Sequence, residues 1–75
     1  MKYKYINERG FGKRLRYAMF INKISCADLA QASEISRKSV YEFRSGSRVP
    51  CIDTIVNLAD ILGVSIDYLI GRKDK

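Results

Sequence analysis

Apolar residues recur along this chain at steps of three and four, and no segment alternates at a step of two for long enough to make a strand. Phe11, Leu15, Ala18 and Asn22 fall on one side of a helix drawn from about Glu8 to Ile21, with Lys13, Arg14 and Arg16 outward. Gly10 and Gly12 weaken its first turn, since glycine is a poor helix former. Ser25-Cys26-Ala27-Asp28 then has the form of a capping box, in which the serine hydroxyl accepts from a free amide and the acid favours the positive end of a short helix reaching about Ala32. Ser36 is a second N-cap, opening a helix of about nine residues that turns Val40 and Phe43 inward and ends at Ser45-Gly46-Ser47. Pro50 marks the next entry, after which Ile52, Ile55, Leu58, Ala59 and Leu62 form an apolar stripe closed by Gly63. Ser65 caps a last short turn through Tyr68, Leu69 and Ile70, stopped by Gly71. The expectation is an all-α chain of five helices.

Seventy-five residues allow one domain, 1–75, whose folding hides only about 60% of the surface of the unfolded chain, so the core has to be compact. With 47% apolar residues and interspersed charge the chain needs no cofactor to fold. It has no histidine, and Cys26 and Cys51 stand far apart with no CxxC, which leaves no set of metal ligands and makes reduced, inert thiols the expectation. No apolar run suits a signal peptide or a bilayer span, so a cytoplasmic protein with no membrane partner is expected. Nor does any pairing of base and nucleophile, any Gly-rich phosphate loop or any matched pair of acids point to catalysis: no catalytic residue is expected. The charge is unequally placed. Residues 1–50 carry eleven basic side chains against four acidic ones, whereas residues 51–75 are slightly acidic. The basic part is the candidate face for a polyanion, or simply a solvated surface.

Two helices of eight or nine residues joined by a turn of three or four are too short to stand alone and must lean on longer neighbours, which is the build of a helix-turn-helix, here at about 25–45. The order Leu29-Ala30, Ile35-Ser36-Arg37, Val40, Phe43, Gly46, Pro50, Leu58-Ala59, Leu62-Gly63-Val64-Ser65 and Asp67-Tyr68-Leu69 resembles the phage repressor and Cro-type, or XRE, family over about Phe11 to Gly71. The resemblance implies a compact five-helix, lambda-repressor-like DNA-binding domain. It also implies that the second motif helix lies in the major groove of double-stranded DNA, with Ser36, Arg37, Lys38, Tyr41 and Glu42 at the base edges. Arg37 and Lys38 suit guanine O6 and N7, Glu42 the amino group of cytosine, and Tyr41 a base edge or a thymine methyl. A solvated surface for Arg37 and Lys38, and an intrahelical pair of Glu42 with Lys38, are the plainer alternatives. By the same resemblance the start of the first motif helix, Ser25 and Cys26, presents amides to one phosphate with Lys23 nearby, and the loop with Arg44, Ser47 and Arg48 holds another.

The chain departs from the family pattern at several positions. Cys26 stands where glutamine is common, Glu34 where the turn commonly has glycine, and Met19 and Arg44 where an arginine and a glutamate commonly pair. Glu34 is then expected in a left-handed conformation, and Arg44 is expected to be free for phosphate. Residues 1–7 precede the match as a short N-terminal arm carrying Lys2, Tyr3, Lys4 and Tyr5, which suit a basic arm on DNA, a frayed end or a strip against a partner subunit. One short helix reads few bases, so the expectation is a homodimeric repressor on a two-fold operator with half-sites about 34 Å apart. The resemblance places the dimer contact at Ile66, Tyr68 and Ile70, the alternative for them being core. The competing function is an antitoxin-like module, with a separate protein as partner and a DNA face retained.

Overall fold

The computed structural model describes residues 8–71, with side chains from Gly10 onward. The N-terminal arm, 1–7, and the charged end, 72–75, lie outside the described residues. Five helices follow one another: α1 (Glu8–Asn22), α2 (Cys26–Ser33), α3 (Arg37–Ser45), α4 (Ile52–Leu62) and α5 (Ile66–Leu69). The described residues contain no strand. The all-helical expectation holds, and the helix ends fall within a residue or two of those read from caps and spacing.

The caps explain these boundaries. Ser25, Ser36 and Ser65 each take extended backbone angles, and each hydroxyl accepts the amide three residues on, from Asp28, Ser39 and Tyr68, all at 3.0 Å. At their C-termini α2, α3 and α4 close on left-handed residues: Glu34, Gly46 and Gly63. Glu34, at φ 61, takes the conformation expected of it in glycine's place. The amide of the next residue, Ile35, reaches back to the carbonyl of Ala30 at 3.1 Å, and its side chain packs on the core, so the turn is a Schellman motif that carries a charged residue at its strained position.

Phe11, Leu15, Ala18 and Met19 of α1 meet Leu29 and Ala30 of α2, Val40 and Phe43 of α3, Ile55, Leu58, Ala59 and Leu62 of α4, and Leu69 of α5 in one buried cluster. α1 packs against α3, α4 and α5, and α2 packs against α3 and α4, so the two short helices are braced by the long ones. Gly12 explains the closest approach. It is buried, and a Cβ placed there would stand 2.5 Å from the carbonyl oxygen of Arg44 and 2.9 Å from that of Phe43. What sequence propensity registers as a weak first turn is the gap through which the backbone of α3 reaches α1. Two asparagines tie the frame together: Asn22 Nδ2 donates to the carbonyl of Leu62 at 2.8 Å, and Asn57 Nδ2 to that of Ser33 at 3.1 Å.

Candidate nucleic-acid interface

α3 is amphipathic in a strict sense. Val40 and Phe43 are buried, while the opposite side carries Arg37, Lys38, Tyr41, Glu42 and Ser45, which together line one open, shallow groove. Four of the five residues placed at base edges from the sequence therefore share one surface. Tyr41 is 55% exposed, which leaves a large aromatic residue open to contact on this surface. Ser45 was not among the candidates, although its spacing of four from Tyr41 and three from Glu42 puts it on their face. Ser36 sits at the entrance of the helix, but its hydroxyl is engaged as the cap: it accepts from the Ser39 amide and donates to the Ser39 hydroxyl, both at 3.0 Å.

The acid on this face is paired. Glu42 Oε1 takes a hydrogen bond from Arg48 Nη1 at 2.7 Å, so its ion-pair partner is an arginine six residues on and not Lys38 one turn before. Arg48 also lies over the buried ring of Phe43, 4.9 Å from its centroid. The loop that carries Arg48 is fastened to the same residue, since the hydroxyls of Ser45 and Ser47 donate to the main-chain carbonyl of Glu42 at 3.0 and 3.2 Å.

The start of α2 forms a second basic point. Ser25 is exposed as its N-cap and Cys26 is half-buried, with exposed Lys23 just before them in a left-handed conformation at φ 55. Arg44 does not join the loop with Ser47 and Arg48. Its Nη1 donates to Cys26 Sγ at 2.8 Å, and its Nε is buried without a hydrogen-bond partner among the described residues. The expectation of a free Arg44 is thus altered: Met19 is buried in the core, and the Arg44 guanidinium donates to the thiol at the head of α2. This brings Arg44 together with Cys26, so a positive charge stands under the positive end of that helix. Arg16 Nη1 donates to the main-chain carbonyl of Arg44, placing a cation against the last turn of α3 where the dipole favours one.

Ile66, Tyr68 and Ile70 are half-buried and packed on the core, with Leu69 fully buried beside them. Larger apolar groups are exposed elsewhere: Tyr17, Phe20 and Ile21 on α1, and Ile52 and Val56 on α4, with Phe20 at 79%. The described residues hold no cluster of three or more residues of metal-ligating type, and no helix among them is long and apolar enough to cross a membrane.

The same architecture is found in known proteins. Residues 14–75 match the family model of the Cro/C1-type HTH DNA-binding domain. The HTH-type transcriptional regulator YobD of Bacillus subtilis is 32% identical over 62 residues, covering 83% of this chain and 55% of that protein. The cryptic phage CTXphi transcriptional repressor RstR of Vibrio cholerae is 40% identical over 52 residues, covering 69% of this chain and 46% of its own length. The chain spans about half the length of the curated relatives it matches. Among solved structures, the restriction-modification controller protein C.AhdI of Aeromonas hydrophila superposes with a TM-score of 0.78 at 29% identity, over 87% of this chain and 98% of that one. The P22 c2 repressor bound to a synthetic operator shares the fold at a TM-score of 0.79 and 24% identity, over 84% of this chain and 96% of that one. Helix order, turn and matched sequence agree: this chain belongs to the Cro/C1-type helix-turn-helix DNA-binding family of transcriptional regulators and repressors.

Proposed function

We propose that the chain is a sequence-specific repressor that binds a two-fold operator as a homodimer, with α3 in the major groove of each half-site. The observation that carries this reading is the division of α3 into a buried side and a groove lined by Arg37, Lys38, Tyr41, Glu42 and Ser45. Arg37 and Lys38 stand in the first turn, where a helix entering the groove brings its side chains to base edges, and both donate hydrogen bonds that suit guanine. Ser36 serves chiefly to hold that turn. Phosphates flank the helix on two sides. At one side the amides and side chains of Lys23, Ser25 and Cys26 meet the strand, with the charge of Arg44 behind them; at the other stand Ser47 and Arg48. The dimer joins through Ile66, Tyr68 and Ile70 on and just after α5.

The test compares binding to the DNA upstream of the chain's own gene with binding to a scrambled duplex, at two salt concentrations. Wild type is expected to prefer the native duplex strongly. Arg37→Ala is expected to lose that preference and to keep the weak, salt-sensitive binding that phosphate contacts provide. Equal and weak binding of both duplexes at each salt concentration would set aside operator reading there. A second reading, a cytoplasmic antitoxin-like module whose main partner is another protein, has one observation in its favour: Tyr17, Phe20 and Ile21 stand exposed on α1, away from the buried face. Copurification with the product of the neighbouring gene, abolished by Phe20→Ser, distinguishes it.

A further inference from the structure

Glu42 poses a problem of charge on a surface that meets a polyanion. Its carboxylate stands in the groove with Arg37, Lys38 and Tyr41, and an unneutralised acid there would be repelled by phosphates. The structure supplies a neutralising partner in Arg48, whose Nη1 lies 2.7 Å from Glu42 Oε1. The Arg48 and Glu42 side chains are 54% and 30% exposed, and a pair so open to water adds little to stability. Its geometry, however, is held in two ways. The guanidinium rests on the buried ring of Phe43, 4.9 Å from its centroid. The hydroxyls of Ser45 and Ser47 and the amide of Ser47 all hold the Glu42 carbonyl, at 3.0, 3.2 and 3.1 Å, which ties the loop carrying Arg48 to the residue it pairs with.

Resting on the proposed reading of DNA by α3, we infer that Arg48 is a specificity-determining positioning residue that acts through Glu42. Arg48 neutralises the carboxylate and holds Oε1, leaving Oε2 to accept a hydrogen bond from the exocyclic amino group of cytosine. Without Arg48 the carboxylate rotates freely, carries its full charge into the groove, and loses its base preference. Arg48 thus belongs to the reading of sequence, beyond any share in holding a phosphate.

The test begins with in vitro selection of a duplex by the wild-type chain. Each base pair of that duplex is then substituted in turn, and affinities are measured for wild type, Arg48→Ala, Glu42→Gln and the double variant, with thermal unfolding run on each to show that it folds. Glu42→Gln is expected to move the preference at one pair of each half-site from cytosine toward adenine. Arg48→Ala is expected to flatten the wild-type preference at that same pair by roughly tenfold, the scale of one good base contact, and to leave the other pairs unchanged. In the Glu42→Gln background, Arg48→Ala is expected to change no base preference. Arg48 as a phosphate contact alone predicts otherwise: equal weakening on every duplex in both backgrounds, with a salt slope lower by about 0.9. That result overturns the inference and leaves the proposed function standing, as does a Glu42→Gln variant with unaltered preferences. Failure of wild type to select any sequence overturns both.

Discussion

The contact of α1 with α3 at Gly12 sets two physical effects against each other, and their sizes decide the outcome of Gly12→Ala. By helix propensity alone the change in the middle of a turn of α1 is favourable by about 0.8–1.0 kcal/mol. The new methyl group, however, would lie 2.5 Å from the Arg44 carbonyl oxygen, 2.9 Å from that of Phe43 and 3.0 Å from the Arg44 carbonyl carbon. A carbon and a carbonyl oxygen approach comfortably only to about 3.3–3.6 Å, so the helices have to part by roughly 1 Å at this point. All three obstacles are backbone atoms, which no rotamer change moves aside. Overpacking of this kind costs about 1–3 kcal/mol, and with main chain on both sides the upper part of that range applies. The net expectation is a loss of about 1–2 kcal/mol, which in a domain of this size lowers Tm by roughly 5–15 °C. Urea and thermal unfolding followed by circular dichroism measure it, with Gly63→Ala as the control: that position has φ 67 and no atom within 4 Å, so its loss of roughly 1 kcal/mol arises from backbone conformation alone. Because the displaced helix is α3, Gly12→Ala is also expected to weaken DNA binding, whereas Gly63→Ala leaves it intact. A Gly12→Ala variant as stable as wild type, or more so, would falsify the argument that main-chain contact governs this position.

Glu34→Gly relieves the left-handed strain at φ 61 and is expected to raise stability by roughly 0.5–1 kcal/mol, after allowance for the greater freedom of glycine in the unfolded chain; a lower Tm refutes it. Arg44→Met is expected to act oppositely on two readouts. It removes a buried Nε that has no hydrogen-bond partner among the described residues, together with the bond to Cys26, while keeping an apolar stem, so stability holds or rises by up to about 1 kcal/mol, but the salt slope of DNA binding falls by about 0.9 as one phosphate interaction is lost; a steady slope removes Arg44 from the interface. Cys51 should be the faster thiol to alkylate near neutral pH. It is exposed, and hydrogen bonding to the Thr54 side chain, with smaller help from the amides of Thr54 and Asp53, holds its pKa below the ordinary thiol value, whereas Cys26 is half-buried under Arg44. Thr54→Val is expected to raise that pKa and slow the reaction of Cys51, and faster labelling of Cys26 in the wild type contradicts the assignment.

The features legible in the sequence are those determined by neighbours along the chain. Caps at Ser25, Ser36 and Ser65 work over three residues, and the apolar stripe from Ile52 to Leu62 repeats within a turn, so the helices could be placed without knowing the fold. The left-handed turn at Glu34 was legible only through the family resemblance, which puts glycine at that position, since nothing in a glutamate itself announces that conformation. Long-range geometry was not legible. Gly12 reads as a weak helix former until α3 is seen against it from more than thirty residues away. The bond from Arg44 to Cys26 joins residues eighteen positions apart on different helices. Glu42 was a harder case: a four-residue spacing favours Lys38, but the loop after α3 doubles back and brings Arg48 closer, and no helical rule describes that path. Arg37, Lys38, Tyr41 and Glu42 were picked out by the family resemblance, while helical periodicity away from Val40 and Phe43 would have added Ser45 to their face.

The nine-residue α3 is fixed to the molecule by two buried side chains of its own, Val40 and Phe43, and its ends are closed by Ser36 and Gly46. None of the four lines the groove formed by Arg37, Lys38, Tyr41, Glu42 and Ser45. Attachment and address are therefore written on separate letters of the same short word. On the proposed reading, substitutions among the outward side chains leave the buried anchors Val40 and Phe43 untouched, so a duplicated gene on this scaffold can diverge in what it binds while both copies keep the same core. A change of address, on the proposed reading of DNA by α3, involves the five outward residues together with Arg48, the loop residue that holds Glu42.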